Sequence, residues 1–243
     1  MIVLLTDFGE SEYVGVMKGV IHSLDSDVKI IDLTHSITPQ SIREAAWVLL
    51  KSYKYFPSHS IFVCVVDPGV GTSRNAVLVE TPDYVFVGPD NGLLYPALKE
   101  ASSYNVYSIK INSNTSHTFH GRDVFAVAAG RYHSGTHPRD IGDSLNDLTV
   151  PLTFHLQHNT GEVVRIDHFG NVVTNLPPIT KKRVKISTNT YSGEIDSYTT
   201  YAEGPDSSIF AVIGSAGTIE LSAKNKRAID YIPVRIGDRI TLE

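Results

Sequence analysis

One change of periodicity constrains the fold of this 243-residue chain more than any single motif. Up to about Thr149, apolar runs of strand length alternate with segments of helical spacing. Strands are expected at 2–6, 28–33, 61–66, 76–80, 84–87 and 106–111, and helices at 13–24, 95–101 and 122–132. A further helix should run from Ser41 to about Tyr55, because Ser41-Ile42-Arg43-Glu44 has the capping-box form that opens one. Strands that alternate with helices predict an α/β domain with a mostly parallel sheet between helix layers. Beyond Thr149 the helical period vanishes. Short segments at 162–167, 172–175, 184–187, 198–201, 209–213, 218–221 and 238–242 are punctuated by Gly and Pro turns. That pattern predicts a small all-β barrel or sandwich. The chain therefore divides into an α/β domain at 1–152 and a β-barrel domain at 160–243.

Bulk properties narrow the partners. A net charge of −5 and the absence of any long Lys/Arg run argue against a nucleic-acid partner. Lys181-Lys182-Arg183 reads as a solvated turn. The single cysteine, Cys64, can form no internal disulfide, and its apolar run predicts a buried, unactivated thiol. The opening residues carry neither a basic region nor a long apolar stretch, so a cytoplasmic protein that does not enter a membrane is expected.

Three stretches place polar and glycine residues against an apolar run: Thr6-Asp7-Phe8-Gly9, the segment 66–72 around Asp67-Pro68-Gly69, and Thr118-Phe119-His120-Gly121-Arg122-Asp123. Acids and flexible backbone at strand ends are where α/β sheets build ligand sites. The Asp7-Phe8-Gly9 triplet is not the kinase magnesium motif, since it follows the first strand and no catalytic loop precedes it. Gly69-Val70-Gly71 lacks the third glycine and the helix of a dinucleotide fingerprint. Histidine pairs at 117/120, 133/137 and 155/158 have spacings that can share a metal, but His133, His137, His155 and His158 sit in polar segments where exposed side chains are the plain expectation. His120, directly before Gly121-Arg122-Asp123, stands apart from them, and spacing alone leaves structural and functional roles equally open for it. In the second domain, 166–172 reads as strand, tight turn and strand. Gly170 and Asn171 suit the turn, while Asp167 and Phe169 suit a ribose diol and a purine face. The turn at 213–217 offers backbone N–H groups for a carboxylate.

Together these segments resemble the superfamily of S-adenosylmethionine hydrolases (hydroxide adenosyltransferases), fluorinases and chlorinases. The matching pieces are TDFG at 6–9, DLTHSITP at 32–39, VVDPGVGT at 65–72, GPDNGLL at 88–94, TFHGRDVFA at 118–126, IDHFGNVVTN at 166–175 and GSAGTIEL at 214–221, in the family's order. The resemblance implies a homotrimer, with each substrate between the N-terminal domain of one subunit and the C-terminal domain of the next. It implies the hydrolase branch, by the set Asp67, Arg74 and His120. Fluorinases carry tyrosine and serine where His120 and Gly121 stand, and a longer loop where this chain has only Thr81-Pro82-Asp83.

The implied reaction converts S-adenosyl-L-methionine to adenosine and L-methionine by in-line attack of water or hydroxide on ribose C5′, with no cofactor or metal. Asp67 or His120 would take or orient the water proton, and Arg74 would fix Asp67. By the same resemblance Asp7 takes the ribose hydroxyls, Asp167 and Asn171 the adenine, and Phe169 packs on its ring. Ser215 and Ala216 receive the methionine carboxylate, Glu12 its amine, and the Asn225 backbone contacts adenine. Gln40 and Ala216 replace an aromatic residue and an arginine of the fluorinases. Pro89-Asp90-Asn91 belongs to the resemblance without an implied role. Halide transfer, a metal-dependent hydrolase using Asp7, Asp67 and His120, and a non-catalytic sensor of the same ligand are the competing readings.

Overall fold

Ile2–Thr6 (β1) is apolar or β-branched throughout and buried on both faces, as a central parallel strand must be. Its side chains alternate between two cores: Ile2 and Leu4 enter one, Val3 and Leu5 the other. The computed structural model describes residues 1–243, which form two units, Met1–Leu152 and Thr153–Glu243.

In the first unit β1 is flanked by β2 (Ile30–Thr34) and β3 (Ile61–Val65), and the sheet continues through β4 (Ala76–Glu80), β5 (Val85–Pro89), β6 (Asn105–Ile109) and β7 (Gly142–Leu145) in the order β2-β1-β3-β5-β4-β6-β7. Helices α1 (Glu12–Leu24) and α4 (Val127–His133) cover one face through Met17, Ile21, Ala128 and Ala129. Helices α2 (Ile42–Ser52) and α3 (Tyr95–Leu98) cover the other through Ala45, Leu49, Ala97 and Leu98. A short α5 (Pro138–Ile141) leads into β7.

The expectation of a mostly parallel sheet is corrected. The pairs β1–β2, β1–β3 and β3–β5 are parallel, but β4–β5, β4–β6 and β6–β7 are antiparallel. The physical reason lies in the turn after β4, closed by Thr81 N–H on Tyr84 O at 2.9 Å, which is too short for a parallel crossover. The capping box is also not formed. Ser41 makes no side-chain cap, and Glu44 Oε2 instead accepts from Thr38 N at 3.0 Å. The helix expected at 122–132 begins as a π-helical turn, Gly121–Ala126, before α4.

The second unit is antiparallel throughout its ladders. Strands β8 (Thr160–Ile166), β9 (Val172–Thr174), β10 (Arg183–Ser187), β11 (Ser192–Asp196), β12 (Ile209–Ile213), β13 (Ile219–Ala223) and β14 (Arg239–Leu242) lie in the order β11-β10-β14-β8-β9-β13-β12. One bridge, Ser197 to Ala211, with Tyr198 N–H on Ala211 O at 2.9 Å, brings the two ends of the sheet together, so the barrel is nearly closed. Val163, Ile186, Ile195, Ile219 and Leu221 fill it. The strand expected at 198–201 is instead coil leading to a 3-10 turn, Tyr201–Glu203, while β11 went unforeseen. No helix is long and apolar enough to cross a membrane.

Candidate active site

Two strand ends and one helix start converge in the first unit. Asp7 follows β1, and its Oδ2 accepts from the backbone N–H of Gln40 at 2.7 Å. Gln40 adopts φ +65, a left-handed conformation uncommon for a residue with a side chain. Asp67 follows β3 and opens a loop tightened by Val70 N–H on Asp67 O and Thr72 N–H on Gly69 O. Gly71 has φ +77, and a Cβ there would stand 2.4 Å from His117 O, so glycine alone lets this loop pack on the segment before His120.

The loop returns Arg74 to its own beginning. Arg74 Nε donates to Asp67 Oδ1 at 3.0 Å and Nη2 to Oδ2, a bidentate ion pair whose side chains are only 10% and 6% exposed. Nη2 also meets His120 Nδ1 at 2.8 Å. A guanidinium has no acceptor, so Nδ1 accepts and the proton of neutral His120 resides on Nε2. Burial, and then the charge of Arg74, hold the His120 pKa below its ordinary value, outweighing Asp67 and Asp123. The Arg74 guanidinium lies over the Phe125 ring, 5.4 Å from its centroid.

Asp7, Asp67 and His120 open on one cleft of about 660 Å³. Phe8, Tyr13 and Phe119 form part of its wall. Gly121 is packed so closely that a Cβ would lie 3.1 Å from Phe119, 3.2 Å from Met17 Sδ and 3.3 Å from Phe8. Asp123 supports the rim by accepting from Ser116 N at 3.0 Å and from Arg122. Glu12, exposed at the start of α1, is not among the lining residues.

In the second unit the Asp167 carboxylate builds its own turn. Oδ1 accepts from Phe169 N and Asn171 N at 2.9 and 2.8 Å, and Oδ2 from Asn171 Nδ2 at 2.9 Å. Only Gly170 in that turn has positive φ, at +83; Asn171 does not. Phe169 is left 72% exposed. In the turn after β12, Gly217 N–H closes on Gly214 O, while the N–H groups of Ser215 and Ala216 donate to nothing in the chain. Asn225, at φ +54, occupies the turn after β13.

Several features escaped the sequence. Asn91 Nδ2 donates to Val66 O at 2.9 Å, anchoring the residue before Asp67, and buried Asp90 accepts from Thr149 N and Oγ1 and from Val150 N. Their amide and carboxylate types were the available signal; the partners were not. His133 is not simply exposed, since Nδ1 pairs with Asp25 Oδ2 at 2.6 Å, and His137 caps α5. Cys64 is fully buried, which pushes its thiol pKa up. No group of three or more His, Cys, Asp or Glu side chains gathers as metal ligands.

An acid at two strand ends, and a buried carboxylate–guanidinium–imidazole chain opening on a cleft, define a small-molecule site of enzyme type. Residues 2–142 and 161–241 match the N-terminal and C-terminal domains of SAM hydroxide adenosyltransferase, and the chain belongs to that family. It is 32% identical, over 97% of its length and 94% of the relative's, to an (R)-S-adenosyl-L-methionine hydrolase from Salinispora arenicola. A fluorinase from an Actinoplanes species is 24% identical over 72% of this chain and 71% of its own. A crystal structure of an uncharacterized conserved protein from Thermotoga maritima superimposes with a TM-score of 0.91, at 33% identity and full coverage of both chains.

Proposed function

We propose that this protein hydrolyses S-adenosyl-L-methionine to adenosine and L-methionine by in-line attack of water on ribose C5′, without a metal or cofactor. The observation that carries the reading is the buried Asp67–Arg74–His120 chain in a member of the SAM hydroxide adenosyltransferase family. The leaving group is a sulfonium, so the C5′–S electron pair returns to sulfur and methionine departs neutral at that atom, needing no general acid. The water oxygen bonds to C5′ and one proton is released. His120, with its proton on Nε2 and a cation at Nδ1, is a hydrogen-bond donor that holds the attacking oxygen. Asp67 keeps a lone pair on each oxygen beyond those used by Arg74, and it accepts the water proton. Arg74 orients both and cannot itself serve as a base.

Asp7 takes the ribose hydroxyls. Asp167, Asn171 and the Asn225 backbone hold adenine with Phe169 on its ring, Ser215 and Ala216 bind the carboxylate through their free N–H groups, and Glu12 meets the amine. A homotrimer in the cytoplasm, each site joining the N-terminal domain of one copy to the C-terminal domain of the next, completes the proposal. It accounts for ligand turns in both domains. A serine in place of Gly121, as in the fluorinases, would need Phe119, Met17 or Phe8 to give by a few tenths of an ångström.

Incubation with S-adenosyl-L-methionine, resolved by liquid chromatography, is expected to yield adenosine and methionine in equal amounts, unaffected by chelator or chloride. A chloro-adenosine product, or activity lost to chelator and restored by a divalent ion, would overturn this assignment. Binding without turnover would point to a sensor.

The state of His120 gives a pH signature. Its neutral form is the working one, and its pKa is lowered, so kcat/KM is expected to fall on acidification with a midpoint below the ordinary 6.5. The unfolded chain takes up that proton first, so the stability this group contributes is also present above 6.5 and lost as the pH drops through the lowered value. A pH–rate profile of wild type against His120→Asn checks it: the variant should lack this limb.

A further inference from the structure

Phe8, Tyr13 and Phe119 come from three places in the chain and meet edge-on, with centroids 5.7, 6.0 and 5.0 Å apart. All three line the cleft. Gly121, next to His120, sits against two of them, since a Cβ there would lie 3.1 Å from the Phe119 ring and 3.3 Å from that of Phe8. In an in-line displacement the leaving sulfur lies one bond beyond C5′, roughly 5 Å from an oxygen poised at near-attack distance. The rings and the two groups that hold the oxygen, Asp67 and His120, line the same cleft.

Phe119 already displays the relevant chemistry. The guanidinium of Arg122 lies 5.2 Å from its centroid, with Asp123 matching the charge. Neither Phe8 nor Tyr13 carries a cation of the protein. Of the two cleft acids, Asp67 is paired with Arg74, and Asp7 is the one assigned to the ribose hydroxyls. An aromatic face attracts a cation through its quadrupole and is indifferent to the neutral atom left when the charge is lost.

We infer that Phe8 and Tyr13, backed by Phe119, form the seat of the substrate's sulfonium and set the preference for it over the neutral thioether that lacks the methyl on sulfur. This deepens the hydrolase reading and rests on it. Because the sulfur charge fades as C5′–S breaks, the seat attracts substrate and releases product; it does not hold the transition state.

The test compares KM for S-adenosyl-L-methionine with the competitive Ki of S-adenosylhomocysteine, the neutral thioether, in wild type, Tyr13→Leu, Phe8→Leu and Tyr13→Phe. Tyr13 is 46% exposed, so its truncation opens no core cavity. Each leucine variant should lower the ratio Ki/KM by about 5- to 30-fold while Ki moves by less than about twofold, and Tyr13→Phe should keep the ratio. An unchanged ratio in the leucine variants, including Ki and KM rising together as for rings that only pack, would overturn the inference. Absence of wild-type turnover would overturn the hydrolase reading itself, and this inference with it.

Discussion

Asp67→Asn is expected to lower kcat for S-adenosyl-L-methionine hydrolysis by about 10²- to 10⁴-fold, the range typical of a lost general base. The substitution is nearly isosteric, so the loop from Asp67 to Arg74 keeps its volume. It removes the carboxylate that takes the water proton and sets an amide N–H₂ or a neutral oxygen against Arg74. Asp7 and the second-unit turns are untouched, so adenosine affinity should remain close to wild type. Steady-state kinetics paired with calorimetric titration of adenosine separates the two effects. A wild-type rate in Asp67→Asn, or in the companion His120→Ala, would remove these residues from the chemistry.

Arg74→Ala is expected to damage both the stability of the first unit and its activity. Asp67 is 6% exposed and both its oxygens accept from this one guanidinium. Removing the partner leaves a buried carboxylate uncompensated, at a cost of about 3–5 kcal/mol, and it also strips His120 Nδ1 of its donor. Thermal unfolding should drop by roughly 6–20 °C on that account. Arg74→Lys should recover part of the stability and little of the activity, because an ammonium cannot make the two parallel bonds to Asp67 and reach His120 as well. Equal stability and activity for wild type and Arg74→Lys would show that charge alone is required.

What the sequence disclosed was local. Strands with apolar runs, such as Ile2–Thr6 and Ile61–Val65, and the acids directly after them, follow from composition over a few residues. Pairing direction does not, since β4 turns back on β5 through a short turn whose consequence is topological. Glu44 matched a capping pattern, yet the chain entering α2 presented Thr38 N–H to it first. Asp67, Arg74 and His120 were nameable by resemblance, but the proton on His120 Nε2 follows only from the placement of Arg74 at Nδ1. Gln40 at φ +65 carried no signal at all, since nothing about glutamine announces a left-handed backbone. Asp167 met a different difficulty: the same carboxylate suits a ligand and its own turn, and the structure shows the turn using three of its bonds.

The near-closure of the second unit has a consequence for handling the protein. Six ladders hold the barrel, but the β11 and β12 ends meet through a single bridge at Ser197–Ala211. Parting that seam costs one bridge and frees two strand margins with unpaired N–H and C=O groups, which are templates for another chain. Besides the standing edges β2 and β7 of the first sheet, an opened seam is thus a further place for strand-to-strand joining, reached while the interior of the barrel is still folded.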